Sequence, residues 1–182
     1  MGASTQASNS ILTDHPNCNA GLLIDFHGHS HPEARIEMGY KLSSSQLREN
    51  DNVLDTLGYT SSIRNMPTHN TFGRLSDIIR GPNSIGSLFE LPTILNITGY
   101  ESVPSQTNIA PGIGESYFQG GYNIELYGSQ DIGTIDAIQI EFPRYLRAQE
   151  FIMQQDMLQA FSQVVLPNFI ESHYPSTCSV KI

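Results

Sequence analysis

Three of the six histidines of this chain, His27, His29 and His31, fall within one five-residue window. They lie in Leu22-Leu23-Ile24-Asp25-Phe26-His27-Gly28-His29-Ser30-His31-Pro32-Glu33. Imidazole is the commonest protein ligand for zinc and similar ions, and a nearby carboxylate can orient the ring through its second nitrogen. A second segment, Ile138-Gln139-Ile140-Glu141, ends in a glutamate after alternating apolar residues. A histidine holding a metal and a glutamate activating water would together make a hydrolase. The plainer alternatives are that His27 caps a strand end, and that Glu141 pairs with Arg144 or Arg147 at the surface. His29 and His31 would then alternate toward solvent on a turn, and Arg35 with Glu37 would form a local ion pair worth little. A different metal site could be built from His27, His29, His31 and Glu33, since a catalytic zinc takes three protein ligands.

The elements that must position these residues follow from pattern. Residues 21–27 read as a short buried strand rich in large apolar side chains, which delivers its polar end to a sheet edge where open α/β folds bind ligands. Thr134 to Glu141 alternates as a second strand. Ser43 to Leu57 predicts a helix with an imperfect apolar face, and Arg74 to Ile79 a short helix closed by Gly81-Pro82. A further short helix starts near Asn83 or Ser84. Arg144 to Ile170 is the clearest helix, broken or kinked by Pro167. Gly99 to Gly121 reads as a long loop punctuated by Pro104, Pro111 and five glycines, a length usually reserved for function. This order of strands and helices predicts an α/β sheet layered with helices.

Two loop segments could serve a ligand. Arg80-Gly81-Pro82-Asn83-Ser84-Ile85-Gly86 sets a guanidinium just before a helix N-terminus, suited to a substrate carboxylate or equally to ordinary capping. Tyr117-Phe118-Gln119-Gly120-Gly121-Tyr122-Asn123 could line a pocket with aromatic rings, or simply turn between strands.

Composition bounds the rest. The 182 residues suffice for one domain, expected over 21–174, with a flexible leader over 1–20 and a tail over 175–182. Nine basic against eighteen acidic residues give a net charge of −9, which argues against a nucleic-acid partner. Only two lysines, Lys41 and Lys181, are present, so most of the positive charge is arginine, suited to fixed recognition of carboxylates. Cys18 and Cys178 read as free thiols rather than a disulfide, and neither has a partner at metal-ligand spacing. No apolar run is long enough for a transmembrane helix and no signal peptide is evident, so the expectation is a cytoplasmic protein without membrane contact. Asn96-Ile97-Thr98 fits the glycosylation sequon, relevant only to a secreted protein.

Taken in order, His27 to Pro32, Arg35-Ile36-Glu37-Met38-Gly39-Tyr40, Arg80 to Gly86, Tyr117 to Asn123 and Ile138 to Glu141 resemble the N-formylglutamate amidohydrolase-like proteins. The resemblance runs from about Gly21 to Tyr174. More distantly the pattern is similar to zinc carboxypeptidases and aspartoacylases, which implies a mixed-sheet, phosphorylase/hydrolase-like α/β architecture. The resemblance implies that His27 binds zinc and that Glu141 is the general base on the attacking water. It puts Arg147, and also Arg144, at the family's arginine position after that glutamate, with Arg80 a candidate grip for a substrate carboxylate. One departure stands out: those families draw two zinc ligands from an upstream His-x-x-Glu pair, and no histidine of this chain has a glutamate three residues on. The expectation is therefore a fold lacking the family's N-terminal part, with an exposed sheet edge open to self-association. The function expected is zinc-dependent hydrolysis of a small N-acyl amino acid or peptide-like carboxylate. The alternative is a catalytically inactive relative or fragment that binds an acidic small molecule or a protein partner.

Overall fold

In a computed structural model the protein is described over residues 21–69, 73–92, 99–130, 133, 135–148 and 151–174. The expected leader and tail, both cysteines and Asn96 lie outside these residues. The centre of the fold is a four-stranded mixed sheet formed by β1 (Gly21–His29), β2 (Ile36–Gly39), β3 (Ser102–Val103) and β4 (Ile135–Pro143). Their spatial order is β1-β4-β2-β3, with β4 parallel to β1 and antiparallel to β2, and β2 parallel to β3. β1 and β3 are thus the edge strands among the described residues. The chain is an α/β protein, as the alternation of elements predicts.

Side chains alternate across a strand, and here the alternation separates two chemistries. Ile24 pairs with Ile138, Phe26 with Ile140 and Met38 with Ile140, which makes one face apolar. Phe26, Phe142, Phe89 and Phe161 interlock on that face with ring centroids 5.0 to 6.1 Å apart. The opposite face carries Asp25, His27 and His29 from β1, Gln139 and Glu141 from β4, and Glu37 and Gly39 from β2. A one-residue slip would exchange the faces, so burial of the isoleucines fixes where the polar groups stand.

Nine α-helices occur among the described residues: α1 (Ser44–Leu47), α2 (Asp51–Thr56), α3 (Met66–His69), α4 (Leu75–Arg80), α5 (Ile85–Phe89), α6 (Tyr122–Tyr127), α7 (Arg144–Ala148), α8 (Phe151–Ala160) and α9 (Leu166–His173). Ser84 caps α5 by accepting from the Ser87 amide, at the start expected from sequence. The single helix expected over Ser43–Leu57 is two. Ser43 closes a capping box with Gln46 on α1, and Asn50 then caps α2 by accepting from the Val53 amide. The long C-terminal helix does not stop at Pro167. A π-helical turn over Phe161–Val165 leads straight into α9, with Pro167 in its first turn. Proline cannot donate to the carbonyl four residues back and its ring crowds that carbonyl, so widening the preceding turn lets the helix continue.

A buried polar node ties the start of β4 to the segment before α3. The Ser129 hydroxyl and the Asn65 amide donate to Asp136 Oδ1, and Ser62 exchanges hydrogen bonds with Ala137. Burial pushes the Asp136 carboxyl up to about 6. A carboxyl raised in the folded state destabilises that state as pH rises from the unfolded value through the folded one. Between pH 4 and pH 7 Asp136 should cost about 3 kcal/mol of stability. Asp136→Asn keeps the acceptor oxygen and removes the charge. Thermal unfolding at pH 7.5 should therefore show the variant more stable than the parent, with the difference gone at pH 4.

Candidate metal and acid–base site

Three central side chains are set by strand register alone. His27 of β1 lies beside Glu141 of β4, and Glu141 lies beside Glu37 of β2, so the three form a row across the polar face. In the antiparallel pair of β2 and β4, directly opposed residues such as Glu37 and Glu141 hold their Cβ atoms within about 4.5–5.5 Å. Glu37 and Glu141 are both buried, with relative exposures of 0% and 4%. Two carboxylates out of water on paired strands repel, and call for a cation or a network of donors.

Glu37 has such a network. His31 Nδ1 donates to its Oε1 at 2.9 Å, and the Phe118 amide donates to its Oε2 at 2.9 Å. A protonated Nδ1 leaves the His31 Nε2 lone pair open, and this side chain is 20% exposed. Phe118 also stacks on the His31 ring, centroids 4.6 Å apart and planes 19° from parallel. His27 repeats the design at the other end of the row. Its Nε2 lies 2.9 Å from Asp25 Oδ2, which also accepts from Asn123 Nδ2 at 3.0 Å. The His27 side chain is 46% exposed, with Nδ1 left open by the bond to Asp25. Between them, Gln139 Nε2 donates to Glu141 Oε1, while Glu141 Oε2 is buried without a hydrogen-bond partner among the described residues.

His29 is different. Its Nε2 donates to the Arg35 carbonyl at 2.8 Å and its Nδ1 accepts from the His31 amide at 3.0 Å, so both ring nitrogens are in use. The donor atoms of His29, His31 and Glu37 lie within 4.8 Å of one another, close enough to gather round one ion. Glu33 stands apart from that group: its Oε1 accepts from the Ser116 amide.

The segment 115–121 covers the row. Arg35 pairs with Glu115 rather than with its near neighbour Glu37, and holds the Glu115 carboxyl below the usual carboxylate range. The Lys41 amide donates to the Gln119 carbonyl, Tyr117 donates to the Met38 carbonyl and the Gly121 amide donates to Gln139. Gly39 makes this approach feasible. A Cβ there would lie 2.6 Å from the Gly120 nitrogen and 2.8 Å from the Gln119 carbonyl carbon, both backbone. Gly39→Ala must therefore lift the segment off β2, at a cost of about 1–3 kcal/mol. Chemical denaturation should show that loss; an unchanged midpoint would mean the segment is not pinned there.

The arginines occupy different places. Arg80 is buried at the end of α4 and donates to Asp51 and to the carbonyls of Leu47 and Glu49. Arg147 donates to the carbonyls of Phe142 and His29. It lies over Gly28, whose missing Cβ would meet its side chain on the apolar face, opposite Glu141. Arg144 is exposed at the start of α7.

Glu37 is the residue that sequence reasoning did not place at this site. The signal for Glu37 was the alternation Ile36-Glu37-Met38-Gly39, which marks a strand with its glutamate on the polar side. The molecule is thus an α/β protein with an acid–imidazole row on one sheet face. Comparison with family models, with curated proteins and with solved structures finds no match. Among the described residues, no helix is long and apolar enough to cross a membrane.

Proposed function

We propose that this chain is a zinc-dependent amidohydrolase-like domain acting on a small N-acyl amino acid or peptide-like carboxylate. The observation that carries the reading is the row His27, Glu141, Glu37, in which a buried carboxylate oxygen without a partner stands beside an imidazole with an open nitrogen. The resemblance to N-formylglutamate amidohydrolase-like proteins, with their zinc carboxypeptidase-like fold, supports it. The half-exposed His27 imidazole, with Nδ1 open, is a donor that suits zinc, and the buried Glu141 oxygen beside it suits a base. His27 would hold the ion, and zinc when bound supplies Lewis acidity to the scissile carbonyl and to the attacking water.

Glu141 takes the proton from that water and passes it to the leaving amine. Its Oε1 is fixed by Gln139, so Oε2 is the atom left for the proton. Asp25 holds the His27 ring through Nε2, which settles its tautomer. Arg144 is the arginine this reading assigns to the substrate carboxylate, since the guanidinium of Arg80 is already committed to Asp51 and two carbonyls. Elemental mass spectrometry of the purified chain tests the metal assignment. About one zinc per chain, lost in His27→Ala, is expected; a His27→Ala variant that keeps its zinc would remove His27 from the site.

A further inference from the structure

Gln139 is buried on the polar face of β4, two residues before Glu141, with 2% of its surface exposed. Its amide joins two elements. Oε1 accepts from the Gly121 amide of the covering segment, and Nε2 donates to Glu141 Oε1. We propose that Gln139, oriented by Gly121, is a positioning residue that confines the proton taken up by Glu141 to Oε2; this rests on the hydrolase reading above.

The chemistry of each group fixes its direction in that chain. A backbone N–H can only donate, so the Gln139 oxygen must face Gly121; a flipped amide would set its NH2 group against that N–H. With the oxygen so placed, the NH2 group faces Glu141, and it too can only donate. Glu141 Oε1 must therefore accept. A proton on Oε1 would meet the Gln139 N–H or leave a poorer acceptor for it. Oε2 has no hydrogen-bond partner among the described residues and is open to a proton. A carboxylate free to rotate would offer either oxygen to the reaction, whereas this one offers a single atom in a fixed direction.

The segment that orients Gln139 is shaped for close approach. Gly120 has φ 129°, a conformation that side chains with a Cβ rarely adopt. At Gly121 a Cβ would lie 2.9 Å from Gln139 Oε1, so a larger residue pushes that oxygen off the amide that holds it. The same stretch of chain reaches both ends of the row: the Phe118 amide donates to Glu37 and Asn123 Nδ2 donates to Asp25, the partner of His27. The glycines thus serve the orientation of the acid groups beneath them.

Steady-state hydrolysis of N-formylglutamate and other N-acyl amino acids by the zinc-loaded chain tests the inference. The parent is compared with Gln139→Met and Gly121→Ala, and circular dichroism confirms that each is folded. Methionine keeps the length of Gln139 and removes both hydrogen bonds, while Gly121→Ala leaves Gln139 in place and dislodges its oxygen. Gln139→Met should lower kcat by about 10- to 100-fold and Gly121→Ala by less, with KM and zinc content unchanged in both. A residue that only holds the fold together would lower stability without separating kcat from KM. If the parent turns over a substrate and folded Gln139→Met matches its kcat, the inference falls and the hydrolase reading stands. If Gln139→Met does not fold, Gly121→Ala decides by the same criterion. A kcat that falls only in step with zinc content also overturns the inference. A parent that hydrolyses none of the substrates overturns it together with the hydrolase reading.

Discussion

Glu141→Gln should reduce turnover of an N-acyl amino acid by about 10²- to 10⁴-fold, the usual contribution of a positioned general base. The loss should appear in kcat with KM little changed, because the proton is transferred only on the way to the transition state. The substitution is close to isosteric, and the oxygen that accepts from Gln139 survives it. It also removes one of two buried carboxylates that face each other across β2 and β4, Glu37 and Glu141. The melting temperature should therefore stay level or rise, and zinc content should not change. A variant with full turnover would show that Glu141 is a buried structural carboxylate and not the base.

Arg80→Met should do the reverse, lowering stability by about 2–4 kcal/mol with no change in KM. The guanidinium joins α4 to the segment between α1 and α2, through Asp51 and the carbonyls of Leu47 and Glu49. Methionine fills the volume of the stem and leaves those acceptors unpaired. Because the Asp51 side chain is 56% exposed, the carboxylate can recover water and the two carbonyls carry most of the cost. Denaturant unfolding measures the first expectation and substrate kinetics the second. A stable variant with a tenfold higher KM would instead make Arg80 the grip on the substrate carboxylate.

The parts of this molecule that the sequence made legible are those governed by short-range pattern. β1 and β4 announce themselves by apolar alternation that ends in a polar side chain, and Ser84 announces α5. β2 is only Ile36–Gly39, and β3 only Ser102–Val103 inside a segment that reads as loop; both are strands because neighbours supply hydrogen bonds, which no local window can show. The break at Asn50 was visible as a capping residue, yet the apolar spacing of Leu47, Val53, Leu54 and Leu57 bridges it. At the candidate site, His27 and Glu141 were singled out because each follows an apolar run, and the strands continue two residues past both. Glu37 was misread as the partner of Arg35, because sequence proximity suggests a pair that the fold replaces with one to Glu115, far along the chain. Arg80 read either as an anion grip or as part of an ordinary capping site, because its partner Asp51 is also remote in sequence. Separating His31 from His29 required the hydrogen bonds of each ring nitrogen, since the two occupy equivalent positions in the motif.

The activity proposed for the His27–Glu141 row is hydrolysis of an amide bond. Its most direct test is release of the acyl group from a panel of N-acyl amino acids, N-formylglutamate first, by the zinc-loaded chain before and after chelation. Turnover that chelation abolishes and added zinc restores is the expected result. Absence of hydrolysis across the panel by the zinc-loaded chain, or turnover indifferent to chelation, would contradict it.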